Sequence, residues 1–343
     1  MLYKHEEYMR MCFELALLGK GQVAPNPMVG CVVLDKDGNI VSKGYHKKYG
    51  ENHAERDALL KLQNNEAEGG TLYVNLEPCS HYGKTPPCVD LIIERKLKIV
   101  VIASRDPNPK VDGILKLKEA GIEVVVGVLE DEAKFLNRVF IKNITTQLPY
   151  VVLKTATTMD GKIATRSGDS KWITCAESRK EVYRMREEFD CILTSSNTVL
   201  ADNPTMRVNE GQIKCILDKD NRTSKDAKIY QQGQIYVANC VNTPLKDGNL
   251  DLRVVLENLY KKGVCTVFVE CGGKLAGAFL KENLIDEVYQ FIAPKVVNDN
   301  IAKSCFDGDL VEKISESKEF KIYEVKLLGT DVLIKFSQPN FWE

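Results

Sequence analysis

The sequence predicts two consecutive α/β domains, on three observations: its length, an alternation of apolar β-branched runs with helix-length segments, and a proline that closes the first series. At 343 residues the chain exceeds the roughly 100–200 residues of one domain, and a single core stops growing near about 300. The first series opens with an amphipathic helix, in which Tyr8, Met11, Leu15 and Leu18 recur at helical spacing among charges. Residues 29–34 (VGCVVL), 71–76 (TLYVNL), 98–103 (KIVVIA) and 122–127 (IEVVVG) read as buried strands. The segments after His53, after Pro86-Pro87 and over 112–120 are each about one helix long, which implies a sheet covered on both faces. A last helix, roughly 131–146, ends ahead of Pro149, which disfavours helical backbone at the residue before it. A second series then starts with strands at 150–158, 190–195, 214–218, 234–239 and 265–270. The division is 1–146 and 149–343, and no internal repeat relates the halves, so they read as a fusion of unlike domains.

Composition narrows the ligand class. The balance of 47 basic and 48 acidic residues, net charge -1, gives no polyanion-binding signature, and no run approaches the roughly 18 apolar residues of a membrane helix. Nucleic acid and membrane are therefore not expected partners, and a small molecule is. Eleven cysteines, odd in number and without repeat, argue for reduced thiols and a cytoplasmic setting. The four histidines, His5, His46, His53 and His81, all lie in the first quarter of the chain, so imidazole chemistry is confined there.

His53-Ala54-Glu55 opens a helical pattern, Pro78-Cys79 follows a strand, and Cys88 comes nine residues later at the start of another helix. One nitrogen and two thiolates suit a borderline-soft ion, and three protein ligands leave a fourth position for water, as in catalytic rather than structural zinc sites. Glu55 stands where it can take and return protons. His-x-Glu followed by Pro-Cys and a second cysteine is the signature of zinc deaminases. Here the spacing is C-x8-C rather than the short C-x2-C, and the added residues include His81 and Lys84. A deaminase of nucleotides or tRNA bases would carry the short loop. A purely structural zinc would need a fourth ligand, for which His81 is the obvious candidate. Cys12, Cys31, Cys191, Cys215, Cys240, Cys265 and Cys305 read as ordinary buried residues.

The long loop Glu77–Cys88, together with Ala24-Pro25-Asn26-Pro27-Met28-Val29-Gly30, resembles the bifunctional riboflavin biosynthesis deaminase/reductase family. The resemblance continues through residues 153–165 (LKTATTMDGKIAT), 168–174 (GDSKWIT), 198–204 (TVLADNP) and 269–277 (VECGGKLAG), and so covers nearly the whole chain. It implies a cytidine-deaminase-like α/β/α domain followed by a dihydrofolate-reductase-like α/β domain. It implies hydrolytic deamination of 2,5-diamino-6-ribosylamino-4(3H)-pyrimidinone 5′-phosphate, then NADPH-dependent reduction of the ribosyl group of 5-amino-6-(5-phosphoribosylamino)uracil, in a homo-oligomer. One zinc ion per chain falls to His53, Cys79 and Cys88 and proton transfer to Glu55, while Asn26, His46, His81 and Lys84 line the substrate.

The second half lacks a Gly-x-Gly-x-x-Gly fingerprint. Lys154, in its first strand, and Asp202, expected in a turn before Pro204, are the residues expected to orient the opened sugar and supply protons. Gly272 and Gly273, after an apolar strand and before a helical segment, fit the approach of a cofactor pyrophosphate. By position in the family pattern, Ala156, Trp172, Thr198 and Asp202 face the cofactor, and Ser170, Arg186, Met206 and Glu270 the substrate. The chain departs from that pattern at Cys175 and at Ser195-Ser196-Asn197, where glycines are usual. It departs again at Asn209, where an arginine is common and Arg207 stands to supply the charge.

Overall fold

A computed structural model describes residues 2–63, 65–83, 85–308 and 311–339. The chain forms two compact units, one ending at Thr146 and the other beginning at Gln147. No helix among the described residues is long and apolar enough to cross a membrane.

The first unit runs α1 (Leu2–Leu17), β1 (Gly30–Leu34), β2 (Ile40–Tyr45), α2 (Ala54–Leu59), β3 (Thr71–Leu76), α3 (Cys88–Glu94), β4 (Ile99–Ser104), α4 (Gly113–Glu119), β5 (Glu123–Val126), α5 (Glu130–Leu136) and α6 (Arg138–Thr146). Its sheet has the order β2-β1-β3-β4-β5. β1 pairs antiparallel with both β2 and β3, and β3, β4 and β5 are parallel. Side chains alternate across the strands, so each strand serves two cores. Cys31, Val33, Leu72, Val74, Val100 and Ile102 join residues of α2, α3 and α4 on one face. Val32, Leu34, Tyr73, Val101 and Ala103 join Met9 and Cys12 of α1 and Ala133 of α5 on the other. The result is an α/β/α sandwich.

Two elements differ from expectation. β2 was not foreseen, because its IVSKGY segment is only partly buried and carries no apolar run. Its Gly44 is required: a Cβ there would lie 2.4 Å from the Ala54 carbonyl, so only glycine lets α2 settle on the strand. The helix expected over 131–146 is broken at Asn137, whose buried side chain leaves helical duty to hold Met28. Asn137 Oδ1 accepts from the Met28 N–H at 2.8 Å and its amide donates to the Met28 carbonyl at 3.0 Å. Asn75, fully buried, donates to the same carbonyl at 2.9 Å and accepts from the Gly30 N–H at 2.8 Å. These four bonds fix the loop that carries Asn26.

The second unit contains β6 (Tyr150–Thr158), β7 (Lys162–Ala164), α7 (Ala176–Arg186), β8 (Cys191–Ser195), α8 (Ser196–Asp202), β9 (Ile213–Leu217), β10 (Gln234–Ala238), β11 (Leu245–Lys246), β12 (Asn249–Leu250), α9 (Leu252–Lys261), β13 (Thr266–Glu270), α10 (Gly273–Lys281), β14 (Glu287–Ala293), β15 (Lys303–Ser304), β16 (Lys321–Leu328) and β17 (Asp331–Ser337). Eight strands form one sheet of order β10-β9-β8-β13-β6-β14-β17-β16. The six strands from β10 to β14 in that order are parallel, and β17 and β16 add antiparallel at one end. Val151, Leu153, Leu193, Cys215, Val267 and Val269 pack on one face with the apolar stripes of α9 and α10. Lys154, Lys214 and Glu270, one position out of phase with these residues, therefore face the other side. The parallel strands β6, β8 and β13 all end at one edge, where α8 and α10 begin, the place where open α/β sheets bind ligands.

Candidate active sites

In the first unit, the sheet edge gathers the expected metal residues. His53 is the N-cap of α2 and Cys88 the first residue of α3, while Cys79 lies in the loop leaving β3. The His53 Nδ1 atom is 3.4 Å from Cys79 Sγ and 3.6 Å from Cys88 Sγ, and all three ligand atoms lie within 4.8 Å of one another. A zinc tetrahedron with Zn–N near 2.0 Å and Zn–S near 2.3 Å has an N···S edge of about 3.5 Å. The donor set and its spacing fit that ion. The Cys88 N–H also donates to Cys79 Sγ at 3.3 Å, the polarity expected where a helix begins against a thiolate.

Electrostatics agree. A hydrogen bond from Cys88, aided by His53 and opposed by burial, holds the Cys79 thiol down to about 4. That same pairing, with burial and the Glu55 charge, pushes Cys88 well up. The pair thus shares one negative charge, and a divalent cation is what allows both sulfurs to ionise. Glu55 is buried beside them; burial first and the Cys79 charge second raise its pKa to about 7, with His53 pulling the other way.

Around this centre, His46 is buried with its ring 5.4 Å from that of His53. Its Nδ1 lies 3.0 Å from the Asn52 carbonyl and its Nε2 3.2 Å from the Asn26 amide nitrogen. Nδ1 therefore carries the hydrogen and Nε2 accepts from Asn26. Burial lowers the His46 pKa, with the Asn52 carbonyl opposing. His81 is exposed and does not join the metal cluster, so the four-ligand structural zinc has no fourth ligand among the described residues. Lys84 lies outside the described residues. Sequence reading missed Asp106, which follows β4. Its pKa is raised to about 6, first by burial and then by the Glu77 and Cys79 charges, with His81 opposing. Its carboxylate accepts from the Asn108 N–H at 2.8 Å, and its own N–H donates to Glu77 at 3.3 Å. The polar Asp-Pro-Asn-Pro segment directly after an apolar strand was the signal available.

In the second unit, Lys154, Arg186 and Glu270 come together. Register pairs Lys154 with Glu270 across β6 and β13, and their charged groups are 3.8 Å apart. Arg186, the last residue of α7, grips Glu270 in a fork, Nε to Oε1 at 2.5 Å and a terminal nitrogen to Oε2 at 3.0 Å. Burial raises the Glu270 pKa, but Arg186 and Lys154 outweigh it and the net shift is downward. Burial likewise lowers Lys154, against the pull of Glu270. One carboxylate serves two cations, so a positive excess remains at this edge.

The other expected residues are spread around it. Ala156 pairs with Phe291 on the strand next to β6. Ser170 and Trp172 lie in the loop before α7, and Trp172 is 62 % exposed with the Arg179 guanidinium 4.6 Å above its ring, so it is a surface platform and not a core anchor. Thr198 sits in the first turn of α8, its N–H donating to the capping Ser195 hydroxyl at 3.3 Å. Asp202 ends α8 instead of occupying a turn: Ser195 starts the helix as its N-cap, and the helix stops at Asn203, left-handed at φ 42. The Asp202 side chain is exposed and makes no hydrogen bond or ion pair among the described residues. Met206 is buried and Arg207 exposed. Gly272 is the N-cap of α10 with open space where a Cβ would stand. Gly273 has no such space, because its Cβ would lie 2.3 Å from the Ser304 carbonyl of its own chain. Cys175, where the family carries glycine, caps α7 in extended backbone; its N–H donates to Asp331 at 2.7 Å and its thiol to the Leu328 carbonyl at 3.0 Å.

A metal-ready hydrolase site on an α/β/α sandwich, followed by a reductase-type sheet, defines a two-headed deaminase and reductase. Residues 2–104 match the cytidine and deoxycytidylate deaminase zinc-binding region, and 149–334 match the RibD C-terminal domain. The riboflavin biosynthesis protein RibD of Escherichia coli is 38% identical over 96% of this chain and 98% of its own, and that of Aquifex aeolicus 40% identical over 97% and 98%. Among solved structures, Acinetobacter baumannii RibD is 35% identical with a TM-score of 0.83, covering 98% of this chain and 99% of its own. The Thermotoga maritima diaminohydroxyphosphoribosylaminopyrimidine deaminase/5-amino-6-(5-phosphoribosylamino)uracil reductase is 36% identical with a TM-score of 0.81 over the same shares. The chain belongs to the RibD family of riboflavin biosynthesis proteins. It is a bifunctional deaminase and reductase, with zinc serving the first unit and NADPH the second.

Replacing Cys79 by serine, a hard and poorly ionised ligand in a soft set, is expected to lower bound zinc from one equivalent to a small fraction. Metal analysis of the purified variant checks this; stoichiometric tight zinc would remove Cys79 from the ligand set.

Proposed function

We propose that the first unit deaminates 2,5-diamino-6-ribosylamino-4(3H)-pyrimidinone 5′-phosphate with His53, Cys79 and Cys88 as zinc ligands and Glu55 as the proton carrier. The observation that carries this reading is the convergence of those three ligand atoms beside a buried carboxylate. Zinc, when bound, acts as the Lewis acid that makes hydroxide available near neutral pH. Glu55 takes the proton of the attacking water and returns it to the departing amine, two transfers that its burial next to the ligands allows it to make in turn. Asn26, its amide nitrogen committed to His46, offers its carbonyl oxygen to a ring amine. Asp106 and His81 extend the wall around the phosphorylated substrate, and Lys84, outside the described residues, is the candidate charge for its phosphate.

In the second unit, Lys154 and Asp202 orient the opened sugar of 5-amino-6-(5-phosphoribosylamino)uracil and supply protons. NADPH, when bound, supplies the hydride. Ala156, Trp172, Thr198, Asp202, Gly272 and Gly273 hold the cofactor, with Gly272 leaving room for the pyrophosphate and Gly273 fixing the start of the helix behind it. Ser170, Arg186, Met206, Arg207 and Glu270 hold the substrate, Glu270 by accepting from sugar hydroxyls while its two cations keep it ionised. None of the eleven cysteines is in a disulfide, which supports a reducing, cytoplasmic setting, and self-association follows from the family resemblance.

Glu55→Gln is expected to keep its zinc but to release ammonia about 100- to 10,000-fold more slowly, since an amide cannot shuttle the proton. Ammonia release near the parent rate in a colorimetric assay would reassign the proton carrier. Lys154→Ala and Asp202→Ala are each expected to cut NADPH oxidation by a similar factor while leaving ammonia release unchanged. Loss of both activities in either variant would show that the two units do not work separately.

A further inference from the structure

We infer that Lys214 is a positioning residue of the reductase: its side chain grips the Thr205 carbonyl and holds the 203–207 loop in the conformation that presents Met206 and Arg207 to the phosphorylated sugar. The inference rests on the reading of those two residues as substrate contacts.

Lys214 lies in β9 and is 1% exposed, among the largest fully buried side chains of the protein. Its Nζ donates to the Thr205 carbonyl at 2.8 Å and to the Ile229 carbonyl at 3.0 Å. No carboxylate lies within ion-pair distance among the described residues. Arg186, itself a substrate-site residue, is the charged group that acts on it, and with burial pushes its pKa down. A buried lysine without a counter-ion is costly, and an apolar side chain of the same length would fill the space without that cost. What an apolar residue would not supply is a donor for the Thr205 carbonyl, which lies outside any strand or helix.

The loop it grips holds two residues in left-handed backbone. Asn203 and Met206 have φ of 42 and 41, left-handed backbone that is unfavourable for a residue such as methionine. The Thr205 carbonyl belongs to the peptide group that joins Thr205 to Met206. Rotation of that group about the Met206 N–Cα bond is φ itself, so a donor fixed to the carbonyl from β9 sets the angle. A second strap comes from the same strand entrance. Gln212 donates to the Arg186 carbonyl at 2.7 Å and accepts from the Asn209 N–H at 2.5 Å, which ties the far end of the loop to the residue that grips Glu270. The loop and Arg186 are thereby built as one piece.

The test uses the full chain, steady-state reduction of the deaminated phosphoribosylamino substrate, and NADPH binding by fluorescence titration. For Lys214→Met, KM for that substrate is expected to rise about tenfold or more with kcat changed little and the NADPH dissociation constant unchanged, the pattern of lost binding rather than lost chemistry. Met206→Gly adopts positive φ without strain. In that background Lys214→Met is expected to add less than about twofold to KM, because the constraint it served is gone. An unchanged KM in Lys214→Met, a parallel fall in NADPH affinity, or full additivity with Met206→Gly overturns the inference. A Met206→Gly enzyme with parent KM overturns instead the reading of Met206 as a substrate contact. Should Lys214→Met not fold, Lys214→Gln, which still donates to one carbonyl, is judged by the same criteria.

Discussion

Two thiols and an imidazole nitrogen held within a few ångström of one another are the constraint around which the first unit is built. Such a group cannot ionise fully by itself, and the opposed shifts of Cys79 and Cys88 express that. A divalent cation resolves the conflict, and the fold prepares for it. β3 delivers Cys79 at its end, α3 begins on Cys88, and α2 begins on His53 because Gly44 lets that helix lie directly on β2. The same helix places Glu55 one residue beyond His53's neighbour, inside the apolar face, where a carboxylate is uncomfortable unless it has protons to exchange. The Asn75 and Asn137 clamps on Met28 do for the loop that carries Asn26 what the helix starts do for His53 and Cys88.

The second unit solves a related problem with the signs reversed. Lys154 and Arg186 converge on one buried carboxylate, so the edge keeps a positive excess suited to a phosphorylated, hydroxylated substrate. Parallel strands bring this group to the end of the sheet where α8 and α10 start, and Gly272 leaves space at the second of these. The departures from the family pattern are absorbed locally. Cys175 takes the extended backbone of a helix cap, which needs no glycine, and Ser195 supplies the hydroxyl that caps the start of α8.

The sequence made the chemistry of the first unit legible because metal ligands are encoded by residue type and short spacing. His53, Glu55, Cys79 and Cys88 span 36 residues, and the context of strand end and helix start is visible in the same stretch. The core strands were legible for the same local reason. What stayed hidden depends on partners far along the chain. β2 lacks an apolar run and exists because β1 pairs with it. β14, β16 and β17 alternate weakly, and their order outward from β6 is set by long-range register. The break at Asn137 is explained by Met28, over a hundred residues earlier. Asp106 and Lys214 are unremarkable letters in the sequence; burial beside Cys79 and beneath the 203–207 loop is what gives them meaning.

The central claim is that three side chains, and no fourth, hold zinc in a site left open for chemistry. Zinc-edge X-ray absorption on the purified full chain tests it most directly. The account predicts one zinc per chain with one imidazole nitrogen near about 2.0 Å, two sulfurs near about 2.3 Å and one exchangeable oxygen. A shell of four protein ligands, or one lacking either the imidazole or a sulfur, would contradict it.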